Sequence, residues 1–425
     1  MTKDAERIYN VAALGLLYAY LLIPAWGYLI FLDALPKIRL TFVFGVLLIP
    51  VLMLRFWLLV TKKRPLPDRR YALLWGLLLW VTILQIAWSP NILSRLDTST
   101  YLSGIAFSVG AYVFVLGSEL MAFYISTHDA KSRVIWTGLV IIYVGFILMI
   151  AYGVARHFFN FHQLVFLFVL HNPKRIYNYQ VLSDTFAIIS LLMMARYGAT
   201  GLFQRLAIYG ISALFLFLAY SRSSVAAFLL AGGILAVIQT WRSGRRQKML
   251  FGFAAGAALL SGVVVIIVLA KDAEDAGLSL LVQRFFSIST FRTSSFQERF
   301  QYWTQSLPLL KDYWLKGRFL YEAVLFEKGA YIHNWMSFWL AYGILPFLLS
   351  LGLLFWALTT AFVQRFSNPW APLTCGLLLY NLIMIVTARP YIWVYFWFTL
   401  ALSIALLRFN DQNDHERHSL STTLE

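Results

Sequence analysis

Apolar runs of about 20 residues alternate along the chain with short polar stretches that gather Lys, Arg, Pro and Asn. A membrane-spanning helix needs about that length, because hydrocarbon offers no hydrogen-bond partner and every backbone N–H and C=O must be satisfied within the segment. About twelve such runs can be marked, at approximately 10–32, 39–61, 71–88, 101–126, 134–154, 179–197, 205–221, 223–241, 249–270, 335–362, 370–388 and 391–407. The pattern predicts an all-α, polytopic membrane protein, with a single transmembrane helical domain over residues 1–407 and a disordered cytoplasmic tail over 408–425. A long interval over 271–334 interrupts the series. It contains "SSFQERFQYWTQSLPLL", whose aromatic and aliphatic residues recur at helical spacing and predict an amphipathic helix near the membrane surface.

Composition strengthens this reading. A mean hydropathy of +0.71 with 60% hydrophobic and 13% charged residues excludes a water-soluble globule. A net charge of +16 would suggest nucleic acid on a soluble protein, but here the cations fall in short clusters between apolar runs, so membrane lipid is the expected partner and nucleic acid is not. "KKRPLPDRR" at 62–70, "AKSR" at 130–133 and "RSGRRQK" at 242–248 all fall on one side of a twelve-span chain. That side is the cytoplasm by the positive-inside rule, and both termini share it. The start of the chain, with Lys3 and Arg7 before the first apolar run, reads as a retained signal anchor. The opposite face receives the connections at 89–100 and 155–178 and the long loop 271–334. A single cysteine, Cys375, inside an apolar run, excludes disulfide frameworks and cysteine metal sites and reads as packing.

Cations on the outer face run against that rule and are therefore informative. Arg222, in "YSRSS", sits between two apolar runs with almost no loop; it reads either as a snorkelling or pore-lining residue or as a ligand. Arg299, in "SSFQERFQYW", belongs to the expected amphipathic helix, as a solvated neighbour of Glu298 or as an anion contact. Lys174 and Arg175, in "HNPKRIYNYQ", read equally as loop residues and as substrate contacts. His333 and Asn334 open "HNWMSFWLAYG", where the histidine is either a boundary residue or a proton acceptor near neutral pH. Guanidinium groups suit a diphosphate, since their planar forks donate two hydrogen bonds and stay charged. The chain has no Walker A loop, Rossmann glycine fingerprint, Gly-x-Ser-x-Gly elbow or zinc helix, and its outer face has no Asp-x-Asp pair to hold a divalent ion. No cofactor or metal is expected, and His162 and His171 fit no ligand spacing.

The layout and these motifs together resemble the O-antigen ligase and polymerase superfamily of bacterial envelope glycosyltransferases. "YSRSS" is similar to that family's Ser/Thr-Arg-small motif, "SSFQERFQYW" to its loop arginine followed by an aromatic residue, and "HNWMSFWLAYGIL" to its His-Asn motif. The last departs from the family pattern: eight residues separate Asn334 from Gly343 where nine are expected, and Pro346 stands where a second glycine would be. The resemblance implies a GT-C-like fold in the bacterial inner membrane with its site facing the periplasm. It implies that Arg222 and Arg299 bind the diphosphate of an undecaprenyl-linked glycan and that His333 acts at an acceptor hydroxyl of lipid A core. The implied reaction is inverting, independent of metal and driven by the lipid-linked diphosphate.

A ligase is favoured over an O-antigen polymerase because the long loop carrying Arg299 comes directly before His333. Transfer to a pilin serine is a third enzyme reading. A non-enzymatic flippase for the lipid-linked glycan would instead require charges through the full depth of the membrane. Arg55, within the second run, is the one cation in that position, and it could also reach the cytoplasmic interface.

Overall fold

A computed structural model describes residues 2–31, 40–61, 68–94, 98–126, 130–156, 179–198, 200–219, 221–242, 294–326, 332 and 334–422. All regular structure among them is helical: α1 (Thr2–Leu21), α2 (Ile23–Phe31), α3 (Leu40–Val60), α4 (Arg69–Leu93), α5 (Thr98–Ser126), α6 (Ala130–Arg156), α7 (Tyr179–Tyr197), α8 (Leu202–Leu218), α9 (Arg222–Trp241), α10 (Ser294–Asp312), α11 (Tyr321–Phe326), α12 (Met336–Tyr342), α13 (Ile344–Val363), α14 (Ala371–Thr387) and α15 (Tyr395–Thr422). Within these helices, six segments are long and apolar enough to cross a membrane: Val43–Val60, Arg69–Ile92, Gly104–Ser126, Ser132–Tyr152, Arg222–Trp241 and Ile344–Val363. Three shorter apolar helices, Leu202–Leu218, Ala371–Thr387 and Tyr395–Arg408, accompany them. The chain is a helical membrane protein. The apolar run at 249–270 lies outside the described residues.

Two runs expected to be continuous helices are broken. The first divides at Leu22, because Pro24 has no N–H to donate to the carbonyl of Tyr20, four residues earlier. The second divides at Gly343, whose φ of 85° is left-handed, so the expected span 335–362 becomes the seven-residue α12 followed by the 20-residue α13. At the C-terminal end, α15 continues as helix to Thr422, through most of the stretch expected to be disordered.

The chain divides into two compact units, one of residues 1–23, 37–138 and 301–425, the other of 24–36 and 139–300. In the first, α5 is the central element, packed against α1, α3, α4 and α15. Three contacts fix it: Tyr71 on α4 donates to the Val115 carbonyl at 2.6 Å, Ser118 donates to the Phe398 carbonyl of α15 at 3.3 Å, and Leu17 of α1 fills the space a side chain at Gly117 would need. Arg55 of α3 and Glu119 of α5 form a buried ion pair at 3.0 Å, with the guanidinium 6.0 Å from the Tyr9 ring. Arg55 is thus held inside the protein rather than reaching for an interface.

In the second unit, α7, α8 and α9 pack on one another. Short links place the end of α7 beside the start of α8, and the end of α8 beside the start of α9. Tyr209 stacks on Phe228 and donates to the Leu229 carbonyl at 2.9 Å, while Gln239 reaches the Met194 carbonyl at 3.2 Å. Among the buried, mostly apolar residues of α7 stand the polar Ser183, Asp184, Thr185 and Ser190. That polarity keeps α7 below the apolarity of a free-standing span although it matches the expected run, 179–197.

Candidate functional site

The corner around the His-Asn motif belongs to the first unit. His333 lies outside the described residues, but Ile332 and Asn334 on either side of it are described. Asn334 shapes the turn into α12: its Oδ1 accepts from the Met336 N–H at 3.0 Å, and its carbonyl accepts from the Ser337 N–H at 3.2 Å and the Ser337 hydroxyl at 2.8 Å. Asn is suited to this because its short side chain imitates a backbone turn. Trp335 follows, buried, with its N–H on the Ile385 carbonyl of α14 at 2.8 Å and its indole on Ser350 of α13 at 2.9 Å. Its ring stacks on Phe338 at a centroid distance of 4.6 Å and meets Phe396, tilted, at 4.3 Å.

On the other side of His333, the Ile332 N–H donates to Glu322 Oε1 on α11 at 2.8 Å. Glu322 is buried, and burial pushes its carboxyl up to about 8, although the Ile332 hydrogen bond works in the opposite direction. At neutral pH this acid is mostly neutral. The segment flanking His333 is therefore tied to α11, α13 and α14 by named hydrogen bonds.

The chain after α14 returns to the same corner. The Tyr391 N–H donates to Ser337 Oγ at 2.8 Å, so residues 385–391 are pinned at one end to Trp335, just before α12, and at the other to Ser337 in its first turn. Arg389, buried, lies between these anchors. Beneath α12, Tyr342 accepts from Gln85 at 2.8 Å, Gln85 accepts from Ser108 at 2.5 Å, and Tyr342 meets the rings of Phe319 and Tyr391 at 5.9 and 5.6 Å.

The break at Gly343 has a visible cause. A Cβ there would lie 2.0 Å from the Leu315 carbonyl oxygen, and one on Gly317, where φ is 63°, would lie 2.4 Å from the Gly343 nitrogen. The turn after α10 thus crosses the α12–α13 junction with backbone against backbone. Two bonds hold the crossing, from the Ile344 N–H to the Trp314 carbonyl at 2.8 Å and from the Arg318 N–H to the Leu340 carbonyl at 2.6 Å. Leu310, Ile332 and Leu340 form the buried cluster between α10 and this corner. Arg318 donates to Tyr313 OH at 2.6 Å and stands 4.0 Å over the Tyr321 ring.

Arg222 is the first residue of α9, in the second unit. Ser221 occupies the N-cap position but makes no capping bond; its hydroxyl meets Ser224 Oγ at 2.7 Å, and Ser224 donates to Asp184 Oδ1 of α7 at 2.6 Å. Asp184, Ser221 and Ser224 are all buried, and Arg222 is half-buried. At the opposite end of the same helices Arg205 is buried, with Nε on the Gly198 carbonyl at 2.9 Å and Nη1 on Thr240 at 2.5 Å.

Of the other expected site residues, Arg299 lies in the second turn of α10, which forms where the amphipathic helix was expected, while Lys174 and Arg175 lie outside the described residues. Sequence reasoning missed Asp184, Glu322 and Arg389. Asp184 carried a signal, as the one acid inside the run at 179–197, and so did Arg389, as an arginine beside a proline between two apolar runs. Glu322 carried none, because its burial depends on how α11 packs.

Compared with known proteins, the chain matches no family model and no curated protein.

Proposed function

We propose that this chain is a membrane glycosyltransferase of the O-antigen ligase type, with twelve spans in a GT-C-like arrangement. It works in the bacterial inner membrane with both termini in the cytoplasm, and its site opens to the periplasm. Its donor is a glycan on undecaprenyl diphosphate, and its acceptor is a sugar hydroxyl of lipid A core. The acceptor oxygen attacks the anomeric carbon from the face opposite the diphosphate, which inverts the configuration. Its proton passes to the imidazole of His333, and the electron pair of the breaking C–O bond leaves with the lipid diphosphate. Arg222 and Arg299 stabilise the charge that grows on that leaving group, which lowers the barrier because the charge is greater in the transition state than in the bound donor. Lys174 and Arg175 serve as outer-face contacts to the substrate.

The observation that supports this reading best is the bracing of the chain on both sides of His333, by Glu322 through Ile332 and by Ser350 and Ile385 through Trp335. A general base needs its approach angle fixed, and a boundary histidine with no task would not need such a frame. At α9, an N-terminus whose serine does not cap it, with an arginine as its first residue, suits an anionic diphosphate. Arg55, the cation that a conduit for the lipid-linked glycan would use, is engaged by Glu119 and buried.

His333→Ala in cells tests the assignment. Core-attached polymer is expected to fall by a factor on the order of 10²–10⁴ while lipid-linked polymer accumulates; a lipopolysaccharide ladder of normal intensity would refute the base role. Transfer by purified protein from lipid-linked glycan to lipid A core, without added metal or nucleotide, distinguishes the ligase from the polymerase and flippase readings.

A further inference from the structure

The link between α8 and α9 is stitched to α7 by two consecutive side chains. Ser183 donates to the Ala219 carbonyl at 3.4 Å, and Asp184 accepts from Ser224 at 2.6 Å. Ser224 has one hydroxyl proton, and the Asp184 carboxylate takes it. In the 2.7 Å contact between the two serines, Ser221 is therefore the donor and Ser224 the acceptor. The result is a directed chain, Ser221 to Ser224 to Asp184, that ends on a carboxylate and is buried throughout.

This chain accounts for the absence of a side-chain capping bond from Ser221. A serine in that position ordinarily turns its oxygen to the N–H groups of the first turn. Here the carboxylate on α7 draws the Ser221 hydroxyl toward Ser224, and Ser221 makes no capping bond. The backbone still enters the helix normally, with the Val225 N–H on the Ser221 carbonyl at 2.9 Å. Asp184 thus fixes the first turn of α9 from outside the helix. Arg222 is the residue between the two ends of that stitch.

We infer that Asp184 is a positioning residue for the lipid-diphosphate donor. Acting through Ser224 and Ser221, it holds the start of α9 so that Arg222 faces the diphosphate. The inference rests on the reading of Arg222 as a diphosphate ligand given under the preceding heading.

The test uses full-length purified protein, undecaprenyl diphosphate as the binding probe, and KM and kcat for transfer. Asp184→Ala and Ser224→Ala are each expected to weaken probe binding about tenfold and to lower kcat for transfer as well, since Arg222 acts more strongly on the departing diphosphate than on the bound donor. Asp184→Asn is expected to stay within about threefold of wild type, because its carbonyl oxygen still accepts from Ser224. In a double-mutant cycle, Asp184→Ala should add nothing once Arg222→Ala is present. Asp184→Asn failing as badly as Asp184→Ala, or effects of Asp184 and Arg222 that simply add, would overturn the inference. Should Asp184→Ala not fold, Ser224→Ala decides: wild-type binding in that variant, with binding lost in Arg222→Ala, refutes the role of Asp184 and leaves the donor site standing. Wild-type binding in Arg222→Ala refutes the donor site and this inference with it.

Discussion

The helices α7, α8 and α9 place Arg205 near one end and Arg222 near the other, and the two sit in different surroundings. Arg205 is 1% exposed, and its guanidinium donates to a carbonyl at the end of α7 and a hydroxyl near the end of α9. Its charge is spent on joining three helices. Arg222 starts a helix whose first turn is held by neighbouring residues, Ser221 and Ser224, through Asp184. The fold at that end therefore rests on the serines and the acid as well as on the cation. The difference teaches how to separate a cation on which the helix packing rests from one whose helix is also held by other residues: the question is which residues carry the hydrogen bonds between helices.

The largest effect is expected from Arg205→Leu, which leaves the Gly198 carbonyl and Thr240 without their donor. It should cost about 3 kcal/mol of stability, read as a fall in the thermal midpoint, with donor affinity of the remaining folded protein close to wild type. Arg222→Ala should lower the midpoint by less, because Arg222 is only half-buried, while donor affinity falls at least tenfold. Arg222→Lys keeps the charge without the fork and should fall between the two states. Equal losses of midpoint in Arg205→Leu and Arg222→Ala would erase the distinction.

Glu322 extends the comparison to a buried acid. Its carboxyl keeps a proton up to about pH 8 when buried and gives it up in the ordinary carboxylate range when the loop opens. The closed form binds the extra proton, so closure is strongest at acid pH, weakens as pH climbs from the ordinary carboxylate range through about 8, and is constant above that. Hydrogen exchange at the Ile332 amide, corrected for its intrinsic pH dependence, should show the loosening, and Glu322→Gln should flatten it. The smallest effect belongs to Ser221→Ala. This serine makes no cap, but its buried hydroxyl donates to Ser224, so its loss should cost about 1 kcal/mol in chemical denaturation.

Run length located α3, α7, α9 and α14 to within a few residues, because a change of solvent is written directly into composition. Two runs were read as unbroken and are not. Pro24 announces the first break locally. The second requires knowing that the turn at Leu315–Gly317 crosses at Gly343, and no local pattern carries that information. The candidate site was legible where a charge stood against an apolar background, as at Arg222. It was illegible where the decisive property is burial: Glu322 reads as an ordinary loop acid until α11 folds over Ile332. Arg205 was visible as a charge at the start of a run, but its partners on α7 and α9 were not.

The crossing of Gly317 and Gly343 has a mechanical consequence. The bonds from Arg318 to Leu340 and from Ile344 to Trp314 clasp the chain into a closed ring that contains both Glu322 and the His-Asn motif. A peptide bond cut between Phe326 and Ile332 would open that ring without releasing either side, since each cut end stays attached through its own half of the clasp. The covalent chain can therefore be divided beside the histidine while the corner that frames it remains one piece.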